Sequence, residues 1–302
     1  MKSVFPPAIL KILPYFSLIV GIFALGMTAV FIRWANAPAT ITGFYRLSIT
    51  SIILFPFFIW KNSKNKKVNR ANLIFPILGG LFTAFDFAFW NTAVLFTTAS
   101  NATLLGNTAP IWVALVTILI FRKRLPREFW IGLLLALSGA ALVLGSDFLL
   151  HPRLGLGDLL ALIAGIFYAA YLLSTQIGRE TLDPLSYMTI MVFSASIVSF
   201  FINLFLGLSF SGYSRQSWLI FLLLSLVSQI LGYTSISYAL GHLPASVVAP
   251  SMIGQPILTT LLAIPLLGEF PRPFQILGGC IALAGIYLIH NSHKRDVSQS
   301  TT

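Results

Sequence analysis

Two ionisable residues, Arg46 and Asp86, lie inside long apolar segments of this 302-residue chain. Arg46 lies about six residues, and Asp86 about ten, from the ends of their segments that would face the same side of a membrane. Their depths therefore differ by roughly 6 Å if both segments are helical. Charged groups in hydrocarbon are costly and therefore either pair with one another or serve function. An ion pair between them would pin two helices together. Alternatively, Arg46 could hold an anionic group, or Asp86 could bind and release a proton. An aspartate in an ion pair stays ionised, which weighs against proton transfer unless the pair breaks.

Other polar residues recur at helical spacing inside apolar segments. Three pairs are four residues apart and would each share one helix face: Asp86 with Trp90, Gln229 with Tyr233, and Ser251 with Gln255. Such faces suit a polar cavity, although polar side chains also join membrane helices to one another. We expect a substrate pathway lined by Arg46, Asp86, Trp90, Asn107, Tyr168, Gln229, Tyr233, Ser251 and Gln255.

The composition excludes a soluble globular protein. Hydrophobic residues make up 57% of the chain, charged residues only 9%, and the mean hydropathy is +0.89, whereas soluble domains have about 25% charged residues. The net charge of +11 comes from basic residues in short connectors rather than on one soluble face, so nucleic-acid binding is not predicted. A single cysteine, Cys280, rules out an intrachain disulfide and a cysteine-based metal site.

The apolar segments have the length that a helix needs to cross a bilayer, about 20 residues. The period-2 alternation of a membrane barrel is absent, so helices are expected. The sequence predicts an all-α integral membrane protein with ten transmembrane helices, near residues 14–33, 41–60, 73–96, 100–121, 129–146, 157–178, 184–206, 217–240, 246–267 and 273–290.

Basic residues indicate the orientation of these helices. With the N-terminus inside, 14 of the 19 Lys and Arg residues fall on the inner side, four fall on the outer side, and Arg46 lies within a span. The positive-inside rule therefore predicts that both termini are cytoplasmic.

An internal repeat divides the chain in two. An offset of 146 residues aligns four sets of residues in one ungapped register: Ala99-Ser100 with Ala245-Ser246, Pro110 with Pro256, Gly132 with Gly278, and Gly139 with Gly285. We expect two five-helix repeats, 1–146 and 147–290, followed by a disordered cytoplasmic tail, 291–302. Because five is odd, the second repeat enters the membrane from the opposite side, which gives the inverted repeats typical of secondary transporters.

Prolines and small residues predict where helices bend and touch. Pro110 and Pro256 occupy matching positions inside two spans, where each can kink its helix and act either as a hinge or in packing alone. Small residues four apart permit close helix contact, within one chain or across a homodimer. They are Gly132, Ala136 and Ala140 in the fifth span and Gly278 with Ala282 in the tenth.

The whole chain resembles a ten-helix member of the drug/metabolite transporter superfamily, EamA family. The resemblance lies in the stretch from Ala93 to Ala102, in Pro110, and in the basic connector and glycine-spaced helix that follow, all repeated in the second half. It implies secondary transport of small metabolites, often amino-acid export, across the bacterial inner membrane through a cavity between the halves. The chain departs from the usual pattern because Lys123 stands where an acidic counterpart of Glu269 is common.

The leading hypothesis is a secondary exporter of small, amino-acid-like metabolites that works by alternating access. The alternatives are a facilitated-diffusion channel and a transporter of lipid-linked or nucleotide-type metabolites. Clustering of polar residues near mid-depth argues against a channel.

The chain is not expected to be an enzyme, because His151, His242, His290 and His293 lie in connectors and at ends, and no phosphate-binding motif, metal site or cofactor is expected. The expected partners are a small-molecule substrate and the lipid bilayer; proton coupling and a monomeric or homodimeric state stay open.

Overall fold

The computed structural model describes residues 7–64, 70–97, 99–144, 155–267 and 270–299. In these ranges, ten helices are long and apolar enough to cross a membrane, which confirms the predicted all-α architecture. Their bounds agree closely with those expected from the sequence, except that the tenth continues to Arg295. The repeat boundary after residue 146, Glu269 and His151 lie outside the described residues.

The first repeat contributes five membrane helices, two of which are interrupted. They are α1 (Pro7–Gly26 and Thr28–Ala35), α2 (Ala39–Lys64), α3 (Ile74–Phe96, after a 3₁₀ turn at Arg70–Leu73), α4 (Ala99–Gly106 and Ala109–Leu119) and α5 (Arg127–Leu144).

The second repeat also contributes five helices. They are α6 (Leu156–Gly178), α7 (Pro184–Phe205), α8 (Arg215–Leu223, a π-helical stretch Leu224–Tyr233, and Thr234–Leu240), α9 (Ala245–Ser251 and Gly254–Leu267) and α10 (Pro273–Gln299). Residues 291–299 are thus helical, where a disordered tail was expected. No Gly or Pro follows Gly285 to stop the helix.

Helices α4 and α9 are broken at matching places rather than kinked. The breaks fall at Asn107–Thr108 and at Met252–Ile253, and Pro110 and Pro256 lie in the first turn after each break. A proline costs little there because the first backbone N–H groups of a helix have no partner within the helix. Matched discontinuous helices are a feature of inverted-repeat transporters.

Helices α5 and α10 pack together through glycines in one chain. A Cβ atom built on Gly132 would lie 2.7 Å from the carbonyl oxygen of Gly285, so only glycine permits this approach. The earlier glycine of α5 thus meets the later glycine of α10, and the two helices run antiparallel. The predicted small-residue contact is therefore formed within the chain, and this part of the helix face is not available to a second copy.

Contacts between the halves repeat with the internal symmetry. Helix α3 packs on α6, and their counterparts α8 and α1 pack on each other in the same way. Helix α2 packs on α7, its own counterpart. The centre of the bundle is therefore lined by helices from both repeats, and its largest buried side chains include Tyr171, Tyr187 and Met191.

Candidate functional site

Arg46 lies at the centre of the bundle, on the buried face of α2 with Thr42 and Thr50. Its side chain is only 5% exposed. The guanidinium carbon lies 4.3 Å from the centre of the Phe87 ring and 5.6 Å from that of Tyr233. Aromatic faces attract a cation at such distances, and the attraction increases when water is excluded. Helices α3 and α8 therefore each place an aromatic ring beside this charge.

One edge of the Arg46 guanidinium has no partner. Its Nε and Nη2 atoms are buried and form no hydrogen bond with any described residue. Unpaired buried donors are rare, because each costs the free energy of lost hydration. Nε and Nη2 together form one side of the planar fork that binds a carboxylate through two parallel hydrogen bonds.

Asp86 lies near Arg46 without forming an ion pair with it. The two side chains interact electrostatically, but the unpartnered Nε and Nη2 show that the guanidinium edge does not hold the carboxylate. The ion pair, one of the alternatives that the sequence left open, is therefore not formed between these two described residues. Asp86 also interacts electrostatically with Tyr168 and Tyr233, and it stays partly exposed, whereas Arg46 is buried.

Three tyrosines of the second repeat lie in a row beside Arg46 and Asp86. The rings of Tyr168 and Tyr171 are stacked with centres 6.0 Å apart, and Tyr171 meets Tyr233 at 5.5 Å. The Tyr168 hydroxyl interacts with the side chain of Gln255, the second residue after the break in α9. The predicted residues Arg46, Asp86, Tyr168, Tyr233 and Gln255 are thus brought together by five helices.

The π-helical stretch of α8 explains how Gln229 and Tyr233 reach the centre. Gln229 is fully buried, and neither its amide nitrogen nor its oxygen has a hydrogen-bond partner among the described residues. The Ser225 hydroxyl, one turn earlier, lies 2.7 Å from the backbone oxygen of Phe221 and 3.1 Å from that of Arg46. Such π-helical segments occur frequently at functional sites.

Trp90 and Asn107 extend the cluster along α3 and α4. Trp90 is partly exposed one turn after Asp86, and its Cδ1 atom would lie 3.4 Å from a Cβ atom built on Gly106. Asn107, next in the chain, lies at the break in α4 and donates from its side chain to the oxygen of Thr103 at 2.9 Å. Three partly exposed members of the cluster, Asp86, Trp90 and Asn107, are thus on the α3–α4 side.

Ser251 does not share a face with Gln255, because the break in α9 separates them. The Ser251 hydroxyl donates to the oxygen of Val247 at 2.8 Å and lies 2.7 Å from Nε2 of His290. With its one proton used, Ser251 must accept from His290. His290 was expected at the end of the tenth span, but α10 continues to Gln299, so His290 lies within the helix. Its ring is 5.7 Å from that of Tyr15.

Sequence reasoning missed Phe87 and the π-helical stretch. Phe87 is apolar and gave no signal, although it follows Asp86 directly. Among the described residues, no three His, Cys, Asp or Glu side chains come together as a metal site would require. The described groups can therefore bind an anion at Arg46, a cation or proton at Asp86, and aromatic or polar atoms at the tyrosines and Gln255.

Comparison with known proteins places this geometry among transporters. The model of the EamA-like transporter family matches residues 12–145 and 155–290. A protein named as an uncharacterized transporter from Archaeoglobus fulgidus is 28% identical over 251 residues, which cover 81% of this chain and 85% of that protein.

Two further comparisons cover most of the chain. The S-adenosylmethionine uptake transporter of Rickettsia prowazekii is 22% identical over 260 residues, 84% of each protein. A crystal structure with 15% sequence identity superposes with a TM-score of 0.76 and covers 93% of this chain and 98% of that one. That likeness shows a shared fold.

Proposed function

The chain belongs to the EamA-like transporter family, and on that premise we propose that it is a secondary exporter of small amino-acid-like metabolites. The substrate binds between the repeats at the cluster of Arg46, Asp86, Tyr168, Tyr233 and Gln255. Both repeats contribute to this cluster, so a movement of one relative to the other can expose it first to one side and then to the other.

The observation that carries the proposal is the unpartnered edge of Arg46. Two parallel donors on a buried, planar cation match the two oxygens of a carboxylate. When Asp86 is ionised, its negative charge disfavours a doubly charged anion and favours a substrate that also has an ammonium group. A carboxylate and an ammonium on one small molecule are the shared features of amino acids.

Two structural features support alternating access over a channel. The breaks in α4 and α9 fall beside site residues from the two repeats, Asn107 and Gln255. The described centre of the bundle is filled by buried side chains, among them Tyr171 and Tyr187, rather than by a continuous polar stripe. Pro110 and Pro256 fix where the helices are interrupted, and we propose that these positions act as hinges.

A second substrate class is amino-acid groups joined to nucleosides. The Rickettsia relative is named for uptake of S-adenosylmethionine, which has an amino-acid group at one end. The partly exposed Trp90 and Tyr168 offer faces on which a base could stack. This class differs from free amino acids in size and not in the group that Arg46 would hold.

The membrane and the orientation follow from the charge pattern. We propose the bacterial inner membrane, with both termini cytoplasmic, because the basic connectors lie on one side. On this orientation the connectors after α2 and α6 are on the inner side. Their positive charge also favours contact with anionic lipid headgroups.

Proton coupling would depend on Asp86. Because Asp86 is partly exposed and forms no ion pair with Arg46, it can exchange a proton without first breaking a strong contact. The proposed cycle binds a proton at Asp86 in one state and releases it in the other.

The test is uptake of a labelled amino-acid panel into proteoliposomes with and without a pH gradient. Wild type is compared with Asp86→Asn and with a control, Glu180→Gln, which removes an exposed carboxylate outside the site. We expect gradient-driven accumulation in wild type and control, and its loss in Asp86→Asn. Equilibration that ignores the gradient in all three proteins would instead indicate facilitated diffusion, and no transport of any panel member would contradict the substrate class.

A further inference from the structure

An ion pair joins the two repeats at the end of the bundle where α2 ends and α7 begins. Nζ of Lys61 lies 2.7 Å from Oδ1 of Asp183, and both side chains are about one-third exposed, at 33% and 38%. Lys61 belongs to the first repeat and Asp183 to the second. Leu182, which precedes Asp183 in the chain, is buried in the main hydrophobic core together with Leu240 and Leu243.

Asp183 is held rigidly by the second repeat. Its carboxylate caps α7 by accepting hydrogen bonds from the backbone N–H groups of Leu185 and Ser186 and from the Ser186 hydroxyl at 2.7 Å. The same connector is fixed by Arg179, whose Nε donates to the oxygen of Ser237 at 2.9 Å and whose Nη1 donates to the oxygen of Leu182. Lys61 therefore meets a preorganised carboxylate.

Among the residues that the structure describes, the opposite end of the bundle has no equivalent ion pair. The 146-residue offset also aligns Pro38 with Pro184, so the counterparts of Asp183 and Lys61 are Ala37 and Gly207, neither of which carries a charged side chain. The described residues at that end meet through aromatic contacts. The Tyr45 ring is stacked on Phe221 at 5.0 Å, and the Phe44 ring lies 5.3 Å from Phe210.

We propose that Lys61 and Asp183 form an ionic latch that stabilises the state closed at the inner end, and that the aromatic contacts described above close the outer end. This proposal rests on the proposed alternating access, and it adds that the two ends of the bundle close through different interactions. Charge removal or salt should therefore shift the protein toward the state that is open at the inner end.

The expected effect is modest because the pair is partly exposed. Exposed ion pairs shift equilibria by about fivefold at most, and salt screens them. A shift of about two- to fivefold in the open population is enough to change a transport rate without unfolding the protein.

The experiment measures the distance across the inner end directly, without substrate. Spin labels are placed on Ile59→Cys and Glu180→Cys, both exposed positions outside the site, in a Cys280→Ser background. Pulsed EPR distances in proteoliposomes are compared for Lys61→Gln, Asp183→Asn and the double variant. Asparagine caps a helix as well as aspartate does, so Asp183→Asn removes the charge and keeps the cap.

We expect each single variant to raise the long-distance fraction about two- to fivefold, and the double variant to add nothing further because both changes remove one interaction. Lys61→Arg should behave as wild type, as should Arg215→Gln, which removes a charge beyond the opposite end. About 1 M salt, with a Debye length of about 3 Å, should open wild type and not the double variant. Unchanged distances in both single variants, or additive effects, would overturn the latch, whatever the outcome of the transport assays.

Discussion

Gly139 of α5 and Gly278 of α10 approach each other reciprocally. A Cβ atom built on Gly139 would lie 2.5 Å from the oxygen of Gly278, and one built on Gly278 would lie 2.7 Å from the oxygen of Gly139. Gly132 and Gly285 meet in the same way, and the offset of 146 residues converts each of these pairs into the other. An approximate twofold axis therefore passes between the two helices, as an inverted repeat requires.

Substitution of Gly139 by alanine should destabilise the protein, because its methyl group would meet backbone atoms that cannot rotate away. We expect a loss of about 1–3 kcal/mol, and a similar loss for Gly278→Ala, since overpacking of a close contact costs this much. The measurement is the melting temperature of the purified protein in detergent. Leu134→Ala, on the same helix but 69% exposed, is the matched control and should melt as wild type. A Gly139→Ala protein as stable as wild type would show that the two helices do not pack this closely.

Replacement of Arg46 by lysine should weaken substrate binding although it keeps the positive charge. Lysine is a point charge and cannot present the two parallel donors of Nε and Nη2. A hydrogen bond to a charged group contributes about 1.5–3 kcal/mol, so we expect KM to rise about 10- to 100-fold. Arg215→Lys, far from the site in sequence and exposed, is the control. If Arg46→Lys lowered the melting temperature and left KM unchanged, the role of Arg46 would be structural.

Substitution of Pro110 or Pro256 by alanine should slow transport with little change in KM. Alanine restores a backbone donor after the break and favours a continuous helix, which shifts the balance between the two states. A shift of about 1 kcal/mol corresponds to about a fivefold change in population and hence in the maximum rate. Pro56→Ala is the control, because Pro56 lies inside the uninterrupted helix α2. Equal rates for all three variants and wild type would remove the hinge role.

Most of the fold could be predicted from the sequence because the bilayer restricts the choice of structure. Apolar length gives the helices, and a fixed offset between glycines and prolines gives the repeat. The breaks in α4 and α9 were less predictable, since a proline inside a span signals a kink as readily as an interruption. The π-helical stretch of α8 gave no signal either, because nothing in Leu224–Tyr233 departs from an ordinary apolar helix.

The candidate site was only partly predictable, for a physical reason. Charged and amide residues in spans stand out, and Arg46, Asp86 and Gln255 do converge. Their partners depend on how helices rotate about their axes, which four-residue spacing does not determine. The spacing argument failed for Ser251 because it assumed an uninterrupted helix, and the contact between Ser251 and His290 joins residues 39 apart in sequence.

The inner latch should be insensitive to pH across the physiological range. Burial alone would raise the pKa of Asp183, but hydrogen bonds from Lys61 and Ser186 outweigh it, and the pKa lies below its ordinary value of 3.8. A conformation that lowers the pKa of a carboxyl group is stabilised by the ionised form of that group. This stabilisation is complete at any pH above the ordinary pKa, and it is lost only as the pH falls through the lowered pKa. The inner distance measured by EPR should therefore be constant between about pH 5 and pH 8. If the inner end opened within that range in wild type but not in Asp183→Asn, Asp183 would titrate there and its pKa would not be lowered. Opening in both proteins would mean that another group titrates. A constant distance in both would show that the latch does not cause any pH dependence of transport, which would then come from the central site.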